Sequence, residues 1–179
     1  PLEVFAVSLK LLLLDTKPAE ARTLPLQRPA AVFQNLDEPA LRQLARAVRA
    51  HAERDAANAR VWEAMERLCA HELEASAPQP AEPRIHPSIQ SGIDALLAGK
   101  SLAELDELGA LAREQTRGGS GGVAAVDTDY WESVLRQLEL TRAQLFMADV
   151  YSRLQQRRSA LCAASDGADA GETSRTVAG

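Results

Sequence analysis

The chain has 179 residues, 46% of them hydrophobic, enough to bury the core of one domain of ordinary size. A formal net charge of −5, from 20 basic and 25 acidic residues, excludes a general nucleic-acid coat, because phosphate binding needs clustered positive charge. The two cysteines, Cys69 and Cys162, stand far apart and make no disulfide framework, which fits a reducing compartment, and the apolar run at 9–14, interrupted by Lys10, is far shorter than the roughly 20 residues of a membrane span.

Helical periodicity dominates, with no sustained alternation of β-branched or aromatic residues to predict a strand. The first helix is expected over 2–14, with Phe5, Leu9, Leu12 and Leu13 as its apolar stripe, followed by an extended connector near 18–30 containing Pro18, Pro25 and Pro29. Asp37 is an N-cap, and Pro39 falls in a first turn where its missing amide does no harm, so a helix runs on to about Arg54. Leu41, Leu44, Ala45 and Val48 form its buried stripe, and Arg42, Arg46 and Arg49 line the opposite side. Val61, Trp62, Met65, Leu68, Cys69 and Leu73 give the broad apolar face of a core helix, ended by a Pro-rich connector near 78–87. A short helix over 87–98, carrying Ile89, Ile93, Leu96 and Leu97, stops at Gly99, where a left-handed backbone costs least. Ser101 and Glu104 form a capping box that starts the next helix; Leu102, Leu105, Leu108 and Leu111 lie on it, and a Gly-rich linker at 118–122 ends it.

The last helix is expected over 130–161, about 48 Å at 1.5 Å per residue. Asp127, Thr128 and Asp129 supply acceptors for the unpaired amides of its first turn, and the two aspartates suit the positive end of its dipole. Trp131, Val134, Leu135, Leu138 and Leu145 share one face. Leu140, Met147, Tyr151, Leu154 and Leu161 form a second stripe, and Leu138 and Leu140 are about 200° apart around the axis. A bundle of this size is expected to cover only one of the two faces, so the second half of the helix should reach beyond the domain and meet another chain. Residues 162–179 are small and polar and read as a disordered tail. Position 1 is Pro1 rather than methionine, which predicts a piece of a longer protein.

No constellation for catalysis stands out. The histidines are His51, His71 and His86; Cys69-x-His71 lacks a second ligand pair, and its helical spacing turns the two side chains about 200° apart. The glycines at 118–122 have neither the following lysine nor the preceding strand of a phosphate loop. No catalytic residue, cofactor, metal, small-molecule substrate or membrane partner is therefore expected. Trp62 and Trp131 lie within apolar stripes and read as core residues, each indole N–H needing a partner; Tyr130 precedes its stripe and reads as partly exposed. Lysine occurs only at Lys10, Lys17 and Lys100, whereas Arg136, Arg142, Arg153, Arg157 and Arg158 outnumber Glu132, Glu139 and Asp149 on the last helix. Those arginines either solubilise the helix and cover apolar neighbours with their stems, or touch RNA phosphates.

The block Asp127-x-x-Tyr130-Trp131-Glu132-Ser133-x-Leu135-x-Gln137-Leu138 resembles the middle region of the Cactin family. Upstream, 88–107 is similar to that family's short helix, Gly-Lys-(Ser/Thr) turn and following helix. Val32-Phe33-Gln34-Asn35-Leu36 resembles its Phe-x-Asn-Gly-Leu lead with the glycine missing, and Trp62-Glu63-Ala64-Met65 resembles its Phe-Trp-x-x-Met segment. With a leading Pro-hydrophobic helix at 1–12, the likeness spans 1–161. It implies a nuclear, non-enzymatic scaffold component of the spliceosome that acts in pre-mRNA splicing, with spliceosomal proteins as partners and pre-mRNA or snRNA as a further contact. The family's Arg/Ser-rich N-terminal region and its C-terminal domain are outside the likeness, so their functions are not carried over.

The sequence thus reads as all-α, a small irregular bundle of about six helices with a long C-terminal one. The helical domain is 1–161, with Leu140, Met147, Tyr151 and Leu154 as the apolar docking anchor, flanked by Arg153 and Arg157. Tyr130, Trp131, Leu135, Leu138, Trp62 and Met65 are the core and motif residues. A helical adaptor of another multi-protein complex, or an RNA-contacting helical module, are the alternatives.

Overall fold

Proline and short polar side chains set where the helices begin. In the computed structural model, which describes residues 1–13, 16–77, 87–118 and 125–172, seven α-helices and three 3-10 turns follow one another, with no strand among the described residues. α1 (Leu2–Ser8) passes into a 3-10 turn over Leu9–Leu12 instead of continuing as one α-helix. The tighter winding reduces the angle between Leu9 and Leu11 from about 160° to about 120°, and both are buried. The stretch expected to be an extended connector instead forms α2 (Pro18–Thr23) and a 3-10 turn at Pro29–Val32. Both start with proline, whose fixed φ suits a first helical position that needs no amide donor.

α3 (Glu38–Arg54) is capped as expected, Ala40 N–H donating to Asp37 Oδ1 at 3.0 Å. A 3-10 turn at Ala56–Asn58 leads into α4 (Ala59–Ser76). α5 (Pro87–Leu97) gives way to Gly99 at φ +71°, the left-handed conformation glycine adopts without strain. α6 (Leu102–Gly118) then opens on its capping box: Ser101 N–H donates to Glu104 Oε2 at 2.8 Å, and Glu104 N–H points back to Ser101 Oγ at 3.4 Å.

α7 (Ala125–Glu172) starts before Tyr130, so Asp127 to Asp129 fall inside its first turns, and it runs on past the expected end at Leu161. The expected connector over 78–86, the glycines at 119–122 and the end of the tail at 173–179 lie outside the described residues.

Two apolar clusters form on α7. In the smaller, Val134 and Leu138 meet Ile93 and Leu97 of α5 and Leu105 and Ala112 of α6. α6 comes close at Gly109, where a Cβ would meet Leu138 Cδ2 at 3.4 Å. In the larger, Leu140, Ala143, Met147, Val150 and Leu154 succeed one another at steps of three and four, and all are buried against the N-terminal helices. α2, α4 and the 3-10 turn at Leu9–Leu12 pack on this flank. Ala21 of α2 is fully buried, and its lone methyl lets the two helices approach closely. The expectation that this flank lacks a cover within the chain is therefore corrected: prolines read as breaking structure start the helix that helps to cover it.

Trp62 ties the N-terminal elements together. It is fully buried, stacks on His51 of α3 with centroids 4.8 Å apart, and meets Phe5 of α1 edge-on at 6.1 Å. Its Nε1–H donates to Asp55 Oδ2 at 3.0 Å, and Asn58 Nδ2 donates to the same carboxylate. Met65 is likewise fully buried. Trp131, by contrast, is only half-buried at the edge of the smaller cluster, with Tyr130 edge-on to it at 5.2 Å. Cys69 lies in the larger core, and burial, reinforced by Glu66 and Glu72, pushes its thiol from 9.0 up to about 11.

This packing generates four expectations. Trp62→Ala costs about 3–5 kcal/mol in chemical denaturation, and Trp131→Ala distinctly less; a reversed order would mean that the smaller cluster carries the fold. Ala21→Leu forces α2 off α7 at about 1–3 kcal/mol, seen as a lower Tm together with greater binding of a hydrophobic dye. A maleimide at neutral pH labels half-buried Cys162 and spares Cys69 until denaturant is added. Because the folded thiol titrates higher than the unfolded one, the stability that its neutral form confers is present below pH 9.0 and is lost as pH rises through about 11.

Candidate protein-docking groove

Gln144, Ala148 and Tyr151 lie beside Met147 on one side of α7. Ala148 is the short member of that row, and the space above it is walled by two other elements. One wall is α4, through Leu68 and Glu72; the other is the 3-10 turn that starts at Pro29, with Arg28 before it and Phe33 after it. The groove encloses about 630 Å³. Asn35 takes φ +58°, a left-handed conformation that asparagine tolerates better than most residues. It lies between this wall and the Asp37 cap.

Met147 is 2% exposed and forms part of the floor, its flexible thioether suited to an irregular space. Tyr151 is half-buried, and the Arg28 guanidinium carbon stands 5.9 Å from its ring centroid, within cation–π range. Arg28 is exposed, and no carboxylate among the described residues pairs with it. Across the groove the Glu72 side chain is 47% exposed, with His71 Nδ1 4.0 Å from its carboxylate.

The structure divides the expected docking anchor. Met147 and Tyr151 meet at the groove, but Leu140 and Leu154 are 7% and 0% exposed and sit inside the chain's own core, so neither is a free contact. Arg153 is exposed and paired with Asp149 at 2.7 Å, and Arg157 is half-buried. On the other flank Val134 and Leu138 are buried, Trp131 and Leu135 half-buried, and Leu145 exposed. Arg28, Phe33 and Leu68 escaped the sequence reading as site residues because they come from separate elements. The one local signal was the short side chain of Ala148 beside Tyr151.

Charge on α7 is dispersed. Arg142 pairs with Asp106 of α6 and Arg153 with Asp149. Arg136, Arg157 and Arg158 have no carboxylate partner among the described residues, but Arg136 stands about 31 Å along the helix from Arg157. Among the described residues no group of three or more His, Cys, Asp or Glu side chains is placed to hold a metal, and no helix is long and apolar enough to cross a membrane.

The family model described as the conserved mid region of cactin matches residues 1–151, from the first residue to Tyr151 at the groove. The chain is 32% identical over 102 residues to the protein named Splicing factor Cactin of Arabidopsis thaliana, an overlap that covers 56% of this chain and 14% of that relative. The chain thus spans a small part of the curated relative's length. No solved structure gives a match. On the extent of the model match, the chain belongs to the Cactin family, within its conserved middle region.

Proposed function

We propose that this chain is a non-enzymatic, structural part of a splicing-associated nuclear protein, and that it works by docking partner proteins on its helices. The family membership supports the splicing role, since the similar Arabidopsis thaliana protein is named a splicing factor. The observation that carries the docking role is the groove at Met147 and Tyr151, an apolar floor open at the surface. Arg153, paired with Asp149, and half-buried Arg157 do not line it, so its basic contact is Arg28. An apolar groove on a chain of net charge −5 favours protein over nucleic acid as the partner.

Immobilised chain incubated with RNase-treated nuclear extract should enrich spliceosomal proteins, read by mass spectrometry. Tyr151→Ala should lower their recovery, since truncating an interface aromatic costs about 2 kcal/mol, roughly thirtyfold in affinity. Enrichment that vanishes on RNase treatment would move the reading to an RNA-contacting module. Enrichment of some other complex, without spliceosomal proteins, would make the chain a helical adaptor elsewhere.

A further inference from the structure

The floor and rim of the groove differ in chemistry, and together they select an occupant. Resting on the protein-docking reading above, we infer that the groove takes a short segment of a partner protein, which inserts one large aliphatic or aromatic side chain over Ala148 and sets a carboxylate against Arg28. Phe33, Leu68, Met147 and Tyr151 reach the groove from three parts of the fold. The apolar surface they leave accessible is recovered from water only when an apolar side chain enters. Its volume of about 630 Å³ lies within the range of sites that engulf a compact group.

Arg28 sets the polarity. Its guanidinium lies over the face of the Tyr151 ring rather than against a carboxylate, so stacking positions the group while its N–H donors remain available for a planar acidic partner. Glu72 on the opposite wall repels a second carboxylate. An acidic residue on the incoming segment is therefore accommodated at the Arg28 side alone, which orients the segment. One arginine facing one glutamate across an apolar floor offers no row of cations to a phosphate backbone.

The test measures fluorescence anisotropy with the 179-residue chain and four labelled probes. These are a peptide with glutamate beside tryptophan, the same peptide with lysine for glutamate, the same with glycine for tryptophan, and a single-stranded RNA oligonucleotide. The Glu-Trp peptide should bind at least about tenfold more tightly than the other three. Ala148→Trp fills the groove from an exposed helical position and should lower that affinity at least about tenfold while circular dichroism and Tm stay unchanged. Arg28→Glu, also at an exposed position, should transfer the preference to the lysine peptide. Equal affinity for all three peptides, tightest binding of the RNA, or binding indifferent to both substitutions would overturn the inference. In nuclear extract, an Ala148→Trp chain that recovers spliceosomal proteins undiminished sinks the groove and leaves the splicing role. Intact peptide selectivity with no spliceosomal protein recovered from the unsubstituted chain sinks the splicing role and leaves the groove.

Discussion

α7 is one continuous helix with apolar residues on two flanks, and the need to cover both places α2, α4, α5 and α6 directly, with α3 packed in turn on α4. The flanks change over between Leu138 and Leu140, about 200° apart, so the part before that point buries against α5 and α6 and the part after it against α2, α4 and the 3-10 turns at Leu9–Leu12 and Pro29–Val32. At the changeover Arg142 pairs with Asp106 of α6, and Arg67 of α4 pairs with Glu139 at 3.9 Å. All four side chains are at least about a third exposed, where ion pairs contribute roughly 0–1 kcal/mol. Apolar burial, at about 1.5–3 kcal/mol for each large side chain taken fully from water, decides the arrangement.

The N-terminal half is short of long helices, and polar groups inside it hold the irregular segments in place. Ser8 is fully buried; its hydroxyl lies 2.9 Å from both Val4 O and Pro25 O and accepts from Gln27 N–H at 3.1 Å, fastening the extended segment after α2 to α1. Thr16 Oγ1 donates to Lys10 O at 2.6 Å and ties the residues before α2 to the 3-10 turn at Leu9–Leu12. Among the described residues every buried side-chain polar atom has a hydrogen-bond partner, as a packed interior requires, since an unpaired one costs about 1–3 kcal/mol. α2 is thereby delivered to α7, where it helps to cover the second flank.

The groove is a by-product of the same packing. Where α2 and the 3-10 turn at Leu9–Leu12 press on α7 the flank closes, and where the turn at Pro29–Val32 stands opposite α4 it stays open above Ala148. A short side chain on a rigid helix is an economical way to make a recess, because neither wall has to bend to form it. The recess also lies at the end of the residues matched by the family model, so both the fold and the family likeness extend up to it.

What the residues determined by themselves is local and periodic. The Asp37 cap, the left-handed Gly99, the Ser101–Glu104 box, the stripes of α3 and α4, and the two opposed faces of α7 all follow from contacts within a few positions of one another, which short-range sterics and hydrogen bonding settle. The all-α class and the family likeness were legible on the same terms. Only the tertiary structure decided that the second flank of α7 is covered from within, that Trp131 is less buried than Trp62, and that Arg28, Phe33, Leu68 and Tyr151 share one recess. Those outcomes depend on how helices distant in sequence compete for the same apolar surface, and periodicity along one helix shows which face is apolar but not which neighbour will cover it.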